Sequence, residues 1–182
     1  RYLVKFSQLV RNILNNSSNP FISLQEELQT IELYMLIEGM RFNNQFKYSI
    51  DILDEINSAN IMIPSLLLQP YVENAIWHGL LHKEGEKHIL IKVSKQSDTS
   101  VSITIEDNGI GRKMSELIEQ KPKHRKSFGM ELGASRLRLM NQNNDQHASV
   151  EVIDLLSQEN TPLGTQIKII IPATLFSDTS TQ

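Results

Sequence analysis

The stretch that decides the fold reads Val101-Ser102-Ile103-Thr104-Ile105-Glu106-Asp107-Asn108-Gly109-Ile110-Gly111. Apolar and polar side chains alternate from Val101 to Ile105, which predicts a half-buried strand. Because side chains alternate across a strand, we expect Asp107 on the apolar face with Val101 and Ile105. A carboxylate there is costly unless it accepts hydrogen bonds, and the exocyclic amino group of a ligand would donate one. Gly109 and Gly111 let the backbone turn sharply and approach a flat ligand, although a plain turn is the alternative interpretation.

A helix predicted before this strand carries a second set of polar residues. The sequence from Pro64 to Leu81 is dominated by a helical pattern, and Pro70 is best placed in a first turn. Asn74 and His78 are four residues apart and share one face. The amide oxygen of Asn74 suits Mg²⁺, which takes few protein ligands, and Glu73 could polarise a nucleophile. Taken singly, each is also compatible with an ordinary solvated or packed side chain.

A basic segment and a glycine-flanked helix follow the strand. Between Gly109 and Phe128 there are six basic and two acidic side chains. A long loop inside a compact domain suggests a lid, with a solvated loop as the alternative. The next helix ends near Met140 and opens around Gly129 and Gly133. Because helix N-termini with free amides bind phosphate, we expect a basic lid over a triphosphate.

The remaining patterns complete a layered domain. Residues 2 to 14 predict one helix, and the capping-box pair Ser23 and Glu26 begins a second. Further strands are predicted at 46–51, 89–93, 150–152 and 167–171. The order is α, α, β, α, β, β, loop, α, β, β. We therefore predict an α/β (α+β) two-layer sandwich, with a mixed sheet and helices on one face, preceded by a helical arm.

Composition limits the classes of function. The 182 residues are 40% hydrophobic and 21% charged, as in ordinary globular proteins. The absence of cysteine excludes a disulfide framework, a thiolate zinc site and a cysteine nucleophile. A net charge of −3 makes a nucleic-acid-binding module the weaker interpretation of the basic segment. The sequence begins within a helical pattern and without an initiator Met, so we expect a fragment of a longer protein.

Together, these motifs and their order resemble the ATP-binding domain of sensor histidine kinases, whose fold is shared with gyrase, Hsp90 and MutL. The LytS/YehU-type branch of these kinases is the most similar. Its asparagine box resembles Leu68–Ile76, and its final glycine box resembles Gly164-Thr165. The helix that leads into its catalytic domain is similar to Leu24–Leu28, together with Tyr34 and Arg41-Phe42.

The resemblance implies a Bergerat-type fold with ATP and Mg²⁺ as cofactors. It implies that Asn74 holds Mg²⁺, that Asp107 binds the adenine amino group and that Glu73 assists phosphoryl transfer. His78 is implied beside the nucleotide, and Thr165 under the adenine end of the pocket. The residues implied to shape the lid are Gly109, Gly111, Gly129 and Gly133.

The resemblance also implies a domain organisation and partners. Residues 1–43 would form a truncated dimerisation arm, residues 44–176 the catalytic domain and residues 177–182 a tail. The acceptor histidine would lie upstream of this fragment, because none of the five histidines sits in the family's acceptor motif. The implied partners are ATP, a second copy through the arm and a DNA-binding response regulator, without direct nucleic-acid binding. The implied location is the cytoplasmic side of a bacterial sensor anchored in the inner membrane.

Two residues depart from the family's pattern. Trp77 stands where Lys or Arg is common, so a phosphate contact would be missing or supplied by Lys83 or the lid. Glu131 stands where Gly is usual, and an acid pointing inward there would repel phosphates. The alternative function is therefore a catalytically degenerate scaffold that dimerises and binds nucleotide weakly or not at all.

Overall fold

A computed structural model describes residues 2–42, 46–53, 56–119, 128–141 and 148–172. The helices are α1 (Tyr2–Ser17), α2 (Leu24–Arg41), α3 (Gln69–Asn74), α4 (Arg112–Glu119) and α5 (Phe128–Asn141). A π-helix, Ala75–Leu80, continues α3. The strands are β1 (Phe21–Ser23), β2 (Phe46–Ile52), β3 (Met62–Pro64), β4 (Lys87–Ser97), β5 (Ser100–Asp107), β6 (Ser149–Leu156) and β7 (Pro162–Pro172).

The central element is a five-stranded mixed sheet of order β2-β4-β5-β7-β6. Strand β2 runs parallel to β4, whereas the other neighbours are antiparallel. β1 and β3 form a separate antiparallel pair. The predicted α+β class with a mixed sheet is confirmed. The pair β1–β3 was not predicted, because three residues are too few for a period of two to be recognised.

One face of the sheet is apolar and buried beneath the helices. The side chains of β4, β5 and β7 alternate, and Ile91, Ile103 and Ile169 are fully buried at the centre of this face. Helix α2 contributes Ile31 and Met35 to the same buried cluster. The predicted boundary after residue 43 stays a prediction, but α2 packs into the core that the sheet provides.

The start of α2 is fixed locally, as the sequence predicts. The Ser23 hydroxyl accepts a hydrogen bond from the Glu26 amide at 3.2 Å, and the Glu26 carboxylate accepts one from the Ser23 amide at 2.9 Å. This reciprocal pair satisfies two amides that the first helical turn would otherwise leave unpaired. The predicted capping box is therefore confirmed.

The predicted long loop after Gly111 is wrong in part, because α4 begins at the next residue. Its exposed apolar side chains, Met114, Leu117 and Ile118, do have the i, i+3 and i+4 spacing of an amphipathic helix, but α4 has only eight residues, too few for this period to stand out among the charged and polar residues around it. The guanidinium of Arg112 donates two hydrogen bonds, of 2.6 and 2.8 Å, to the carboxylate of Asp154 in β6. This ion pair connects α4 to the sheet. The middle of the predicted lid, residues 120–127, lies outside the described residues.

Among the described residues, no helix combines the length and the apolar character needed to cross a membrane.

Candidate functional site

Asp107 is the centre of the candidate site. It ends β5 with 5% of its surface exposed, so the orientation predicted from strand alternation is confirmed. The amide of Gly109 donates a hydrogen bond of 2.8 Å to its carboxylate. Burial raises the pKa of Asp107 to about 6, while hydrogen bonds from the amides of Gly109 and Thr165 act in the opposite direction. A further donor at this carboxylate would lower the cost of its charge.

Glycines bring the π-helix into contact with the turn after β5. A Cβ at Gly79 would lie 2.6 Å from Oδ1 of Asp107, and a Cβ at Gly109 would collide with the backbone of Gly79. The amide of Ile110 also donates to the carbonyl of Gly79 at 3.1 Å. Gly79 is thus a site residue that sequence reasoning missed, although a glycine inside a helical pattern is a recognisable signal.

Gly164 and Thr165 approach Asp107 from the neighbouring strand. Thr165 is buried and faces Asp107 in the register of β5 and β7. Gly164 has a φ of +144°, and a Cβ there would collide with the carbonyl oxygen of Asp107. No other residue type combines that conformation with that approach. The structure therefore brings Asp107, Gly79, Gly109 and Thr165 together, and we term this region the adenine end after the role that the family resemblance implies for Asp107.

Glu73, Asn74 and His78 lie half-buried along the rod formed by α3 and the π-helix. The carboxylate of Glu73 accepts a hydrogen bond from the side chain of Gln69 at 2.8 Å. Asn74 precedes Gly79 by five residues, which corresponds to roughly 7 Å along the helix axis. We term the Glu73–Asn74 region the metal end after the Mg²⁺ role that the family resemblance implies for Asn74, whose oxygen atom is a hard ligand.

The side chain of Trp77 packs against the end of α2. Its indole N–H donates to the hydroxyl of Tyr34 at 3.2 Å. The guanidinium of Arg41 lies 5.1 Å from the centre of the indole ring, and Phe42 meets the ring edge-on at 5.7 Å. Trp77 therefore has its own packing role in joining α2 to the rod, and this role accounts for an aromatic residue at that position.

The two ends of the predicted lid lie on different elements. Gly111, with a φ of +77°, faces Pro162 just before α4 begins. Gly129 lies in the first turn of α5, and Gly133 follows within the same helix. A Cβ at Gly133 would lie 2.5 Å from the hydroxyl of Tyr71, so this glycine allows α5 to approach α3 closely.

Comparison with known proteins places this geometry in a class. The family model described as histidine kinase matches residues 1–46. The histidine kinase domain of a blue-light activated histidine kinase from Erythrobacter litoralis has a similar structure, with a TM-score of 0.59 and 14% sequence identity. That match covers 95% of this chain and 75% of the other. The chain thus has the fold of histidine kinase domains.

Sequence relatives narrow the class. The sensor protein LytS of Staphylococcus epidermidis is 37% identical over 111 residues, covering 61% of this chain and 18% of that protein. The sensor protein LytS of Oceanobacillus iheyensis is 32% identical over 172 residues, covering 93% of this chain and 28% of that protein. The chain therefore spans less than a third of the length of these relatives. The predicted resemblance is confirmed: the chain is related to LytS-type sensor histidine kinases.

Proposed function

We propose that this chain is the ATP-binding catalytic part of a two-component sensor histidine kinase. In the full protein it transfers the γ-phosphate of ATP to a histidine upstream of residue 1. The observation that carries this proposal is the buried carboxylate of Asp107, which faces a surface of glycines at the junction of β5 and the π-helix.

The adenine end fits a flat base with an amino group. The space beside Oδ1 of Asp107 depends on Gly79, because a Cβ there would fill it. The Asp107 carboxylate would accept a hydrogen bond from the amino group, and Thr165 would lie beneath the ring. A carboxylate acceptor strengthens such a bond relative to a neutral one.

The metal end fits a hard cation by the chemistry of its donor atoms. The amide oxygen of Asn74 would hold Mg²⁺, which commonly keeps water and phosphate oxygens as its other ligands. When bound, Mg²⁺ would neutralise charge on the phosphate oxygens. Glu73, oriented by Gln69, would accept a hydrogen bond from the N–H of the attacking imidazole. That bond would keep the other nitrogen of the imidazole ring directed at the phosphate. His78 would lie beside the nucleotide, and the basic lid would cover the phosphates.

The proposal includes partners of the full protein. Helix α1 exposes apolar side chains, among them Leu3 with 75% of its surface exposed, which supports self-association through the arm. A response regulator of the DNA-binding type would receive the phosphoryl group, and this chain would make no direct contact with nucleic acid. We place the chain on the cytoplasmic side of a membrane-anchored bacterial sensor.

The experiment that tests the function compares two lengths of the protein. The 182-residue chain should bind Mg-ATP in calorimetry and acquire no stable phosphohistidine from γ-labelled ATP. A longer protein that includes the upstream histidine should acquire acid-labile label. In that protein, Asn74→Ala should suppress labelling because a hard oxygen ligand is lost. Asn19→Ala, the same change at an exposed turn, is the matched control and should label normally.

Two outcomes would contradict the proposal. If the longer protein binds ATP but stays unlabelled, the domain has lost its chemistry and acts as a nucleotide-binding scaffold. If the 182-residue chain is labelled, one of its own five histidines is an acceptor.

A further inference from the structure

Glu27, in the first turn of α2, is a buried carboxylate on a different element from the residues of the adenine end. Only 1% of its surface is exposed. Its two oxygens accept hydrogen bonds from the amides of Leu66 and Leu68, each at 2.9 Å. A buried carboxylate is tolerated only when such donors compensate its lost hydration, so the position of this side chain is closely defined.

The segment that Glu27 binds leads directly into α3. Leu66 has a φ of +56°, which is unfavourable for a leucine and has to be maintained by its surroundings. Leu68 is the N-cap residue of α3, and its side chain makes no capping hydrogen bond. The first amides of a helix need partners from outside the helix. Here Glu27 of α2 accepts from the amide of the N-cap residue Leu68, 41 residues away in sequence, and from the amide of Gln69, the first helical residue.

A second helix holds the same segment. The guanidinium of Arg136, in α5, donates a hydrogen bond to the carbonyl of Leu66. The charge of Arg136 also favours the ionised form of Glu27, against the effect of burial, which raises its pKa. The segment before α3 is therefore held by hydrogen bonds with two helices, through Glu27 of α2 and Arg136 of α5.

We propose that Glu27 is a positioning residue for the metal end of the site. It fixes the origin of α3, and Asn74 lies at the last position of this six-residue helix. The adenine end is built mainly on β5, the turn after it and β7, and its residue on the π-helix, Gly79, is held to that turn by the amide of Ile110, which donates to its carbonyl. This inference rests on the proposed function, because it assigns Asn74 to Mg²⁺. It predicts that Glu27 controls the Mg²⁺-dependent part of ATP affinity and not the adenine-dependent part.

The test uses Glu27→Gln in the 182-residue chain. Gln has the same shape but offers one carbonyl oxygen, so its amino group faces the amide of Leu66 or Leu68. ATP affinity is measured by calorimetry with Mg²⁺ and with EDTA, and the ratio of the two dissociation constants gives the Mg²⁺-dependent gain. We expect this gain to fall by about three-fold or more. Affinity in EDTA should change by less than about two-fold on the same reasoning.

A control variant separates positioning from general destabilisation. Val93→Ala removes buried methyl groups from β4 and should lower stability without changing the Mg²⁺-dependent gain. Hydrogen exchange gives a second readout, in which Glu27→Gln should lower the protection of amides 69–74 more than Val93→Ala does. If Glu27→Gln does not fold, Arg136→Gln releases the same segment from the other side and should reduce the gain in the same direction.

The outcomes distinguish this inference from the function on which it rests. An unchanged Mg²⁺-dependent gain with unchanged protection of residues 69–74 would overturn the role of Glu27 alone. An equal loss in Glu27→Gln and Val93→Ala would also overturn it, because stability would then explain the effect. Failure of the parent chain to bind ATP at all would instead overturn the proposed function.

Discussion

Replacing Asp107 by Asn should raise the stability of the chain and lower its affinity for ATP. The substitution keeps the shape of the side chain but removes a charge that the fold buries. In the parent, burial raises the pKa of Asp107 from 3.8 to about 6. A shift of that size corresponds to roughly 3 kcal/mol of cost for the ionised form at neutral pH.

Asn recovers only part of this cost. The Asp107 carboxylate accepts hydrogen bonds from the amides of Gly109 and Thr165, and an amide oxygen would retain one of them as a weaker, neutral bond. A lost hydrogen bond offsets about 1 kcal/mol of the gain. The expected net stabilisation is therefore about 1–2 kcal/mol at pH 7.5, which urea denaturation measures readily.

The pH dependence has a definite sign. Because folding raises the pKa of Asp107, the fold favours the protonated form, and this residue's contribution to stability is greatest below pH 3.8. That contribution declines as the pH rises from 3.8 to about 6 and is then constant. Near pH 5 the cost of the ionised form is about half its value at neutral pH, so the advantage of the Asn variant should be largest above pH 6 and fall to about 0.5 kcal/mol or less near pH 5.

ATP affinity should change in the opposite direction. Loss of a charge-assisted hydrogen bond to the adenine amino group costs about 1.5–3 kcal/mol, which corresponds to about ten-fold weaker binding or more. In the parent, ATP affinity should also weaken below pH 6 as Asp107 takes up a proton. The Asn variant provides the baseline, because it shares the titration of ATP itself but lacks that of Asp107.

Calorimetry at pH 7.5 and 5.5, together with denaturation, completes the assay. Asp154→Asn is the matched control, because its ion pair with Arg112 lowers the pKa of Asp154. That variant should lose a little stability and keep its ATP affinity. Asp107 would be only a turn residue, and the adenine assignment would fail, if Asp107→Asn bound ATP as tightly as the parent.

Three further substitutions test other contacts. Gly79→Ala should abolish ATP binding and lower the melting temperature, because its Cβ would lie 2.6 Å from the Asp107 carboxylate; unchanged calorimetric binding would contradict the close approach. Tyr71→Phe should be neutral or stabilising by up to about 1 kcal/mol in urea denaturation, since the buried hydroxyl has no hydrogen-bond partner among the described residues. Trp77→Lys should destabilise the chain by about 1–2 kcal/mol through lost contacts with α2 and should not raise labelling of the longer protein; increased label would show that a phosphate contact is limiting.

Local sequence signals predicted most of the sheet and the buried position of Asp107. The alternation from Val101 to Asp107 determines both a strand and the face on which Asp107 lies, because it depends only on the period of a strand. The capping box at Ser23 and Glu26 is equally local. Gly109 was predicted as a point where the backbone turns and approaches a ligand, and Gly164 only as part of a glycine box, so their close approaches to Gly79 and Asp107 were not predicted.

Contacts between distant segments could not be predicted in the same way. Glu27 follows the capping residue Glu26, and in sequence it resembles an ordinary acidic residue that favours a helix N-terminus. Its burial depends on a segment about 40 residues away. Trp77 could be read only as a departure from the family's pattern, because its partners Tyr34 and Arg41 lie on another helix.

Helix α2 contacts both ends of the rod formed by α3 and the π-helix, which carries the metal end. Glu27 holds the segment before α3, and Arg41 packs over Trp77 in the π-helix. A displacement of α2 along its axis would therefore have to break both sets of contacts, and it would disturb Asn74 between them. Helix α1 is joined to α2 through contacts such as the hydrogen bond between Asn16 and Thr30, which touches neither end of the rod. Tyr2 of α1 lies close enough to Arg41 to interact with it, so we expect a shift of α2 to disturb the proposed metal end more than a reorientation of α1 does.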